Sequence, residues 1–231
     1  MTRPMFCLDP RLRAIADRVT PDSRVADIGT DHALLPIWLC REGIVSRAIA
    51  ADVADGPLKR ARENVESYHC VDRVDVRLSD GLRGIEPQEV DEVIIAGMGG
   101  ELIARILDDA SWKRAAVRWI LQPMSASEDL RVYLAGHGYG IESEQAVRAL
   151  NRVYSVMTAR YTGAVTPCGE TSEARWIGAM IPNGSEENRQ YVKRQLRHIR
   201  NIAAGYRARG ETEKEDEYAQ LIDRLERAIE T

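Results

Sequence analysis

The segment Arg24-Val25-Ala26-Asp27-Ile28-Gly29-Thr30-Asp31-His32 constrains the fold more than any other. A short apolar strand runs into an acid, a glycine and then a helix start. A second apolar run, Arg47-Ala48-Ile49-Ala50-Ala51-Asp52, follows and also ends in a carboxylate. A glycine turn after one strand and an acid closing the next is how a doubly wound sheet holds an adenosine. The backbone comes close to the ligand, and the carboxylate accepts from the ribose hydroxyls. Only Gly29 of the dinucleotide fingerprint is present, and Asp27 and Asp31 flank it with negative charge. Such a loop repels a pyrophosphate and suits a ligand that carries positive charge.

Runs rich in Val and Ile recur at 25–28, 48–51, 74–78, 93–96 and 117–121, separated by helical patterns starting near Asp31, Pro57 and Gly99. This alternation predicts a mostly parallel sheet with helices on both faces. Ser125-Ala126-Ser127-Glu128 has the form of a helix N-cap with an acid three residues on, and that helix should end at Gly136. Two strands follow, about 140–147 and 153–161. The residues between them, Arg148 to Arg152, are too few for a crossover, so the pair should be an antiparallel hairpin. An α/β fold with a mostly parallel sheet and an antiparallel last strand is that of the Rossmann-like class I methyltransferases. S-adenosylmethionine, with its sulfonium and ammonium, is then the expected cofactor.

Ahead of the first strand, Pro10 to Val19 should form a short amphipathic helix presenting Leu12, Ile15, Ala16 and Val19, beside the cofactor mouth. Residues 1–162 are expected to form the cofactor-binding domain. Residues 163–184 hold Gly163, Pro167, Gly169, Gly178, Pro182 and Gly184, the composition of a linker with one short helix around Trp176. Residues 185–231 should form a coiled-coil-like helical hairpin, 185–206 and 211–229, split at Gly210. Its stripes are Tyr191, Leu196, Ile199, Ile202 and Tyr206 against Tyr218, Leu221, Ile222, Leu225 and Ile229. A tail joined this way should be removable with little effect on cofactor binding.

The formal net charge of −4 gives no global attraction to a polyanion, and 44% hydrophobic residues suffice for one buried core plus an appendage. Cys7, Cys40, Cys70 and Cys168 lack the spacing of a zinc site or a disulfide framework, so a reducing cytoplasm is expected and no metal. No apolar run nears the roughly 20 residues of a membrane span, and the N-terminal apolar stretch is too short for a signal peptide.

The cofactor-binding candidates are Asp27, Gly29, Thr30, His32, Asp52, Val53, Asp80, Gly81, Leu82 and Gly97. Gly29 admits the methionine part of the ligand, while Asp27 fixes the turn or reaches the ammonium. Asp31 either caps the helix or faces the pocket, and His32 is either a surface residue or part of its mouth. Asp52 is a bidentate acceptor for the ribose, or only an acid that starts a loop. Ser79-Asp80-Gly81-Leu82 is a turn signal that, after a third strand, can also hold an adenine. Ala96-Gly97-Met98-Gly99-Gly100 ends the fourth strand at the point where strand order should reverse. Its glycines give either a flexible loop or room for a flat base, making Met98, Gly99 and Gly100 candidates for the acceptor site. In the tail, Arg189, Lys193, Arg194, Arg197 and Arg200 belong to a run without acids. They either bind phosphates or pair with the acidic helix after Gly210.

Asp27-Ile28-Gly29-Thr30-Asp31-His32, Ala51-Asp52, Asp80-Gly81-Leu82, Ala96-Gly97-Met98-Gly99-Gly100 and Leu121-Gln122-Pro123 in combination resemble the TrmK family. These are bacterial tRNA methyltransferases that modify N1 of adenine 22. The resemblance spans roughly residues 8–162, in order, and extends to the helical tail. Before Tyr154, where the family often has a Gly-Lys turn, this chain has Leu150-Asn151-Arg152. The resemblance implies that the adenine N1 lone pair attacks the sulfonium methyl, that the base leaves its stack to do so, and that tRNA is the partner. Asp31 is the candidate general base by location alone. A monomer is expected. A small-molecule methyltransferase would not need the basic tail helix, and a non-catalytic tRNA-binding protein would show no turnover with labelled cofactor.

Overall fold

A computed structural model describes residues 6–108, 112 and 116–230. The amino-terminal helix α1 (Pro10–Ala16) is capped by Asp9, whose carboxylate accepts from the Arg11 and Leu12 amides. The alternation that follows is β1 (Val25–Ile28), α2 (Leu34–Arg41), β2 (Ala48–Asp52), α3 (Asp55–Ser67), β3 (Val74–Leu78), β4 (Glu92–Gly99), α4 (Gly100–Leu107), β5 (Arg118–Ser125) and α5 (Ser127–Gly136). The hairpin β6 (Tyr139–Ala149) and β7 (Arg152–Tyr161) completes one seven-stranded sheet in the order β3-β2-β1-β4-β5-β7-β6. Strands β1 to β5 pair in parallel, and β7 pairs antiparallel with β5 and β6. The order reverses between β1 and β4, so their carboxyl ends flank a crevice.

Strand residues alternate between two cores. Val25, Ala48, Ala50, Ile94 and Ile120 face α1, α2 and α3, while Ala26, Ile28, Ile95, Trp119 and Leu121 face α4 and α5. Burial on both faces is why these strands are continuous apolar runs.

Two helix starts differ from expectation. α2 begins at Leu34, after His32 (φ 62°) and Ala33 (φ 55°) in left-handed backbone, so Asp31 is not its cap. β5 continues through Ser125, and α5 starts after Ala126, also left-handed, with no side-chain cap. In both places an alanine occupies the turn, and nothing in its side chain marks it.

Beyond β7 come α6 (Glu173–Trp176), α7 (Glu186–Arg209) and α8 (Thr212–Glu230). Ser185 caps α7 through the Asn188 amide, and Gly210 ends it at φ 73°. Val192, Leu196 and Ile199 meet Tyr218, Leu221 and Leu225 between α7 and α8. Tyr191, expected in that seam, instead packs with Ala146 and Met180 against the sheet hairpin. Its hydroxyl accepts from Arg131 at 2.8 Å. Arg131 is itself buried, paired with the buried Glu144 at 2.6 Å, and donates to the carbonyls of Arg175 and Trp176. Ser155 also donates to Glu144. A buried ion pair with its remaining donors satisfied thus joins α5, β6, β7, α6 and α7.

Candidate functional site

Three strand ends are laced together by backbone. The Gly29 and Thr30 amides both donate to the Ala51 carbonyl (2.8 and 2.9 Å), and the Ser79 amide donates to the Asp52 carbonyl (2.9 Å). Ser79 then shapes the next turn, its hydroxyl donating to the Gly81 carbonyl and accepting from the Gly84 amide. Asp27, Asp52 and Asp80 are therefore held along one edge of the sheet, at the carboxyl ends of β1, β2 and β3.

Asp27 is buried, and among the described residues only the Thr30 hydroxyl, at 2.6 Å, bonds its carboxylate. Burial pushes its pKa up to about 6, the Thr30 hydrogen bond opposes this, and the charges of Asp52 and Asp31 add to it. A buried carboxyl group thus sits near the carboxyl end of β1 among other acidic groups, in a field that favours a cation. Asp31 itself projects outward, 87% exposed, and pairs with His32 Nε2 at 2.9 Å. The Asn64 side chain donates to the His32 carbonyl at 3.0 Å, fixing the left-handed turn.

Asp52 accepts from the Ala54 amide through Oδ1 at 2.8 Å, which orients its carboxylate. Val53 beside it is 66% exposed, an apolar surface at the strand end. Asp80 pairs with Arg83 at 2.8 Å. A cleft of about 540 Å³ opens beside it, flanked by Leu102, Arg105 and Ile106 of α4. Leu82, also at the cleft's edge, is buried in the core.

The glycines divide by role. A Cβ on Gly29 (φ 72°) would run into the Met98 Cε, so Met98 seats its side chain on this turn. Gly97 (φ 78°) has no atom within 4 Å of where a Cβ would stand, leaving its backbone open to an incoming group. A Cβ on Gly99 would meet the Ser125 hydroxyl at 3.3 Å. Gly100 differs from expectation: it is buried, and a Cβ there would collide with the Ala126 carbonyl oxygen, so it serves the close packing of α4 on the β5–α5 turn.

Two residues on this edge escape the sequence reading as site residues. Gln122, fully buried, accepts through Oε1 from the Gly97 amide and from Arg11 Nη1, both at 3.2 Å. It pins the loop after β4 to α1. Arg11 lies over the Tyr154 ring, its guanidinium carbon 5.8 Å from the ring centre. An uncharged buried amide at the end of an apolar strand, in Leu121-Gln122-Pro123, is the available signal for Gln122.

The residues present fit S-adenosylmethionine. A buried carboxyl with one hydrogen-bond partner lies in β1, Gly29 after β1 and Gly97 near the end of β4 hold positive φ, and an oriented carboxylate stands at the end of β2. Among the described residues no group of three or more His, Cys, Asp or Glu is placed to hold a metal. No helix there is long and apolar enough to cross a membrane.

The basic tail is neutralised unevenly. Arg189 pairs with Glu186, Arg200 with Glu226, Arg207 with Glu215 and Arg209 with Glu211. Lys193, Arg194 and Arg197 have no ion-pair partner among the described residues.

Residues 8–157 match the family described as Methyltransferase domain. The chain is 31% identical over 231 residues to the tRNA (adenine(22)-N(1))-methyltransferase of Bacillus subtilis, covering 95% of this chain and 94% of the relative. The crystal structure of the B. subtilis M1A22 tRNA methyltransferase TrmK superposes with a TM-score of 0.80 at 28% identity, covering 96% of this chain and 99% of that one. A Streptococcus pneumoniae protein solved in complex with S-adenosyl-L-methionine gives 0.77 at 29% identity, covering 95% and 98%.

Proposed function

The chain belongs to the family of tRNA (adenine(22)-N(1))-methyltransferases, and from that premise we propose that it moves a methyl group from S-adenosylmethionine to N1 of an adenine in tRNA, at position 22 as in its B. subtilis relative. One observation supports this above the others: the kinship covers 95% of the chain, so the helical tail is shared together with the cofactor edge. When bound, S-adenosylmethionine supplies a methyl group on a cationic sulfur, open to attack by a ring nitrogen.

This chain's residues hold, orient and desolvate the partners. Asp27 and Asp52 set a negative field at the crevice, and Asp52 is the ribose acceptor. Gly29, Thr30 and Gly97 offer backbone, while Val53 and the Asp80–Leu82 loop form the adenine slot. Met98 and Gly99 line the side from which the target base enters. Gln122 accepts from the Gly97 amide and keeps this loop in place, which matters because small misplacements of reacting groups cost rate. Asp31, the candidate base by location, is exposed and pairs with His32, so the proton that a methylated adenine releases can pass to solvent. The reaction runs in the cytoplasm, with the chain acting as a monomer.

Incubation with cofactor labelled on the methyl group and unmodified tRNA, followed by digestion and nucleoside analysis, tests this. The expected product is 1-methyladenosine at one position. Label in another nucleoside, or none in tRNA, would overturn the reading.

A further inference from the structure

The unpaired part of α7 does not stand alone. Gln190, Lys193, Arg194 and Arg197 follow the spacing of one helix face, and that face lies against the tip of the β6–β7 hairpin. Arg148 donates to the Gln190 side chain, and Arg194 Nη1 donates to the Val153 carbonyl at 2.8 Å. Between them runs a groove of about 320 Å³ lined by Arg148, Asn151, Arg152, Lys193, Arg194 and Arg197, with no carboxylate in its lining. The five cations have no ion-pair partner among the described residues. Every other arginine from 189 to 209 is matched by a glutamate.

The groove is also correctly placed. β7 runs antiparallel to β5, so the tip between Ala149 and Arg152 stands at the carboxyl-end edge of the parallel strands. That edge carries Asp27, Asp52 and Gly97. Tyr154, two residues from Arg152, packs under Arg11, and Arg11 reaches Gln122 and through it the Gly97 loop. A chain of contacts thus links the Gly97 loop to the base of the hairpin tip through Arg11 of α1.

We infer that this composite groove grips the RNA phosphate backbone, with the hairpin-tip arginines Arg148 and Arg152 as essential as the cations of α7. The inference rests on the tRNA reading above and goes beyond it, because it assigns binding to the catalytic sheet's own hairpin and withdraws it from Arg189 and Arg200. Arginine forks suit phosphate oxygens, and such interactions position the duplex without reading sequence.

The test is binding of labelled unmodified tRNA over about 50–200 mM salt, the range in which such interactions are most visible. The double variant R148Q/R152Q should flatten the slope of log affinity against log salt by about two, one for each phosphate ion pair removed. The KM for tRNA should rise while kcat at saturating tRNA and the cofactor Kd hold. K193Q/R197Q should do the same from the helix side. Both pairs lie on the surface, and an unchanged cofactor Kd and melting temperature report that each variant is folded. A wild type that methylates tRNA, with slope and KM unmoved in R148Q/R152Q, overturns the groove and leaves the function standing. A wild type that transfers no methyl group, yet binds tRNA with a slope that R148Q/R152Q flattens, overturns the function and leaves the groove.

Discussion

Asp27 shows at the residue scale what a buried carboxyl costs the fold and what it would offer a cationic ligand. Its pKa is raised to about 6 by burial. Between about pH 4 and 6 the folded chain therefore keeps a proton that the unfolded chain, with a carboxyl near 3.9, has released. Stability falls as pH rises through that window and stays lower above it. Asp27→Asn removes the penalty and should stabilise the ligand-free protein at neutral pH by about 1–3 kcal/mol, as urea denaturation can measure. The same variant should lose cofactor affinity. In the wild type the cation prefers the ionised carboxylate, so calorimetry should show affinity weakening as pH drops through about 6. An affinity flat from pH 5 to 8 would remove Asp27 from contact with the ligand's charge. At Asp52, alanine should weaken cofactor binding by about 1.5–3 kcal/mol, the range for hydrogen bonds to a charged group.

Elements differ in how openly the sequence declares them. The strands are legible because burial on both faces makes them apolar runs, and Asp27 near the end of β1 and Asp52 at the end of β2 mark where each strand gives way to its turn. The helix starts at Leu34 and Ser127 are not legible, because left-handed Ala33 and Ala126 carry no side-chain signal. The nearby Asp31 and Ser125 imitate caps. Gly100 reads as part of the base-binding loop because a glycine that admits ligand and one that admits a neighbouring carbonyl look alike in sequence. The Arg131–Glu144 pair is invisible for another reason: its network closes only when α7 brings Tyr191 to the sheet. Removing one partner leaves the other charge buried and unmatched, so Arg131→Ala should cost about 3–5 kcal/mol in a denaturant titration. A loss under about 1 kcal/mol would mean that water relaxes into the gap and that the network is marginal. At the Gly29 turn, alanine meets both a positive φ and the Met98 side chain. Gly29→Ala should therefore weaken cofactor binding more than Gly97→Ala, where only the backbone conformation is penalised.

On the scale of the whole molecule, the sequence presents the helical tail as a separable appendage behind a glycine- and proline-rich linker. The packing argues otherwise. α7 covers Ala146, Val153 and Met180, the Asn188 side chain accepts from the Ala146 amide at 2.8 Å, and the Tyr191 hydroxyl completes the shell of Arg131. Cutting the chain after residue 184 would strip apolar cover from the hairpin that ends the sheet and leave a buried guanidinium short of a partner. A chain of residues 1–184 should thus melt at a lower temperature than the full protein and lose cofactor affinity with it. Deletion is accordingly the wrong instrument for asking what the tail binds, and single charge removals are the right one. Tyr191→Phe isolates one link: it keeps the ring packing, removes one hydrogen bond to a charged group, and should cost about 1.5–3 kcal/mol. If residues 1–184 unfold at the same denaturant concentration as the full chain, α7 is a passenger on the sheet. The burial of Arg131 would then have to be satisfied by Glu144 and the Arg175 and Trp176 carbonyls alone.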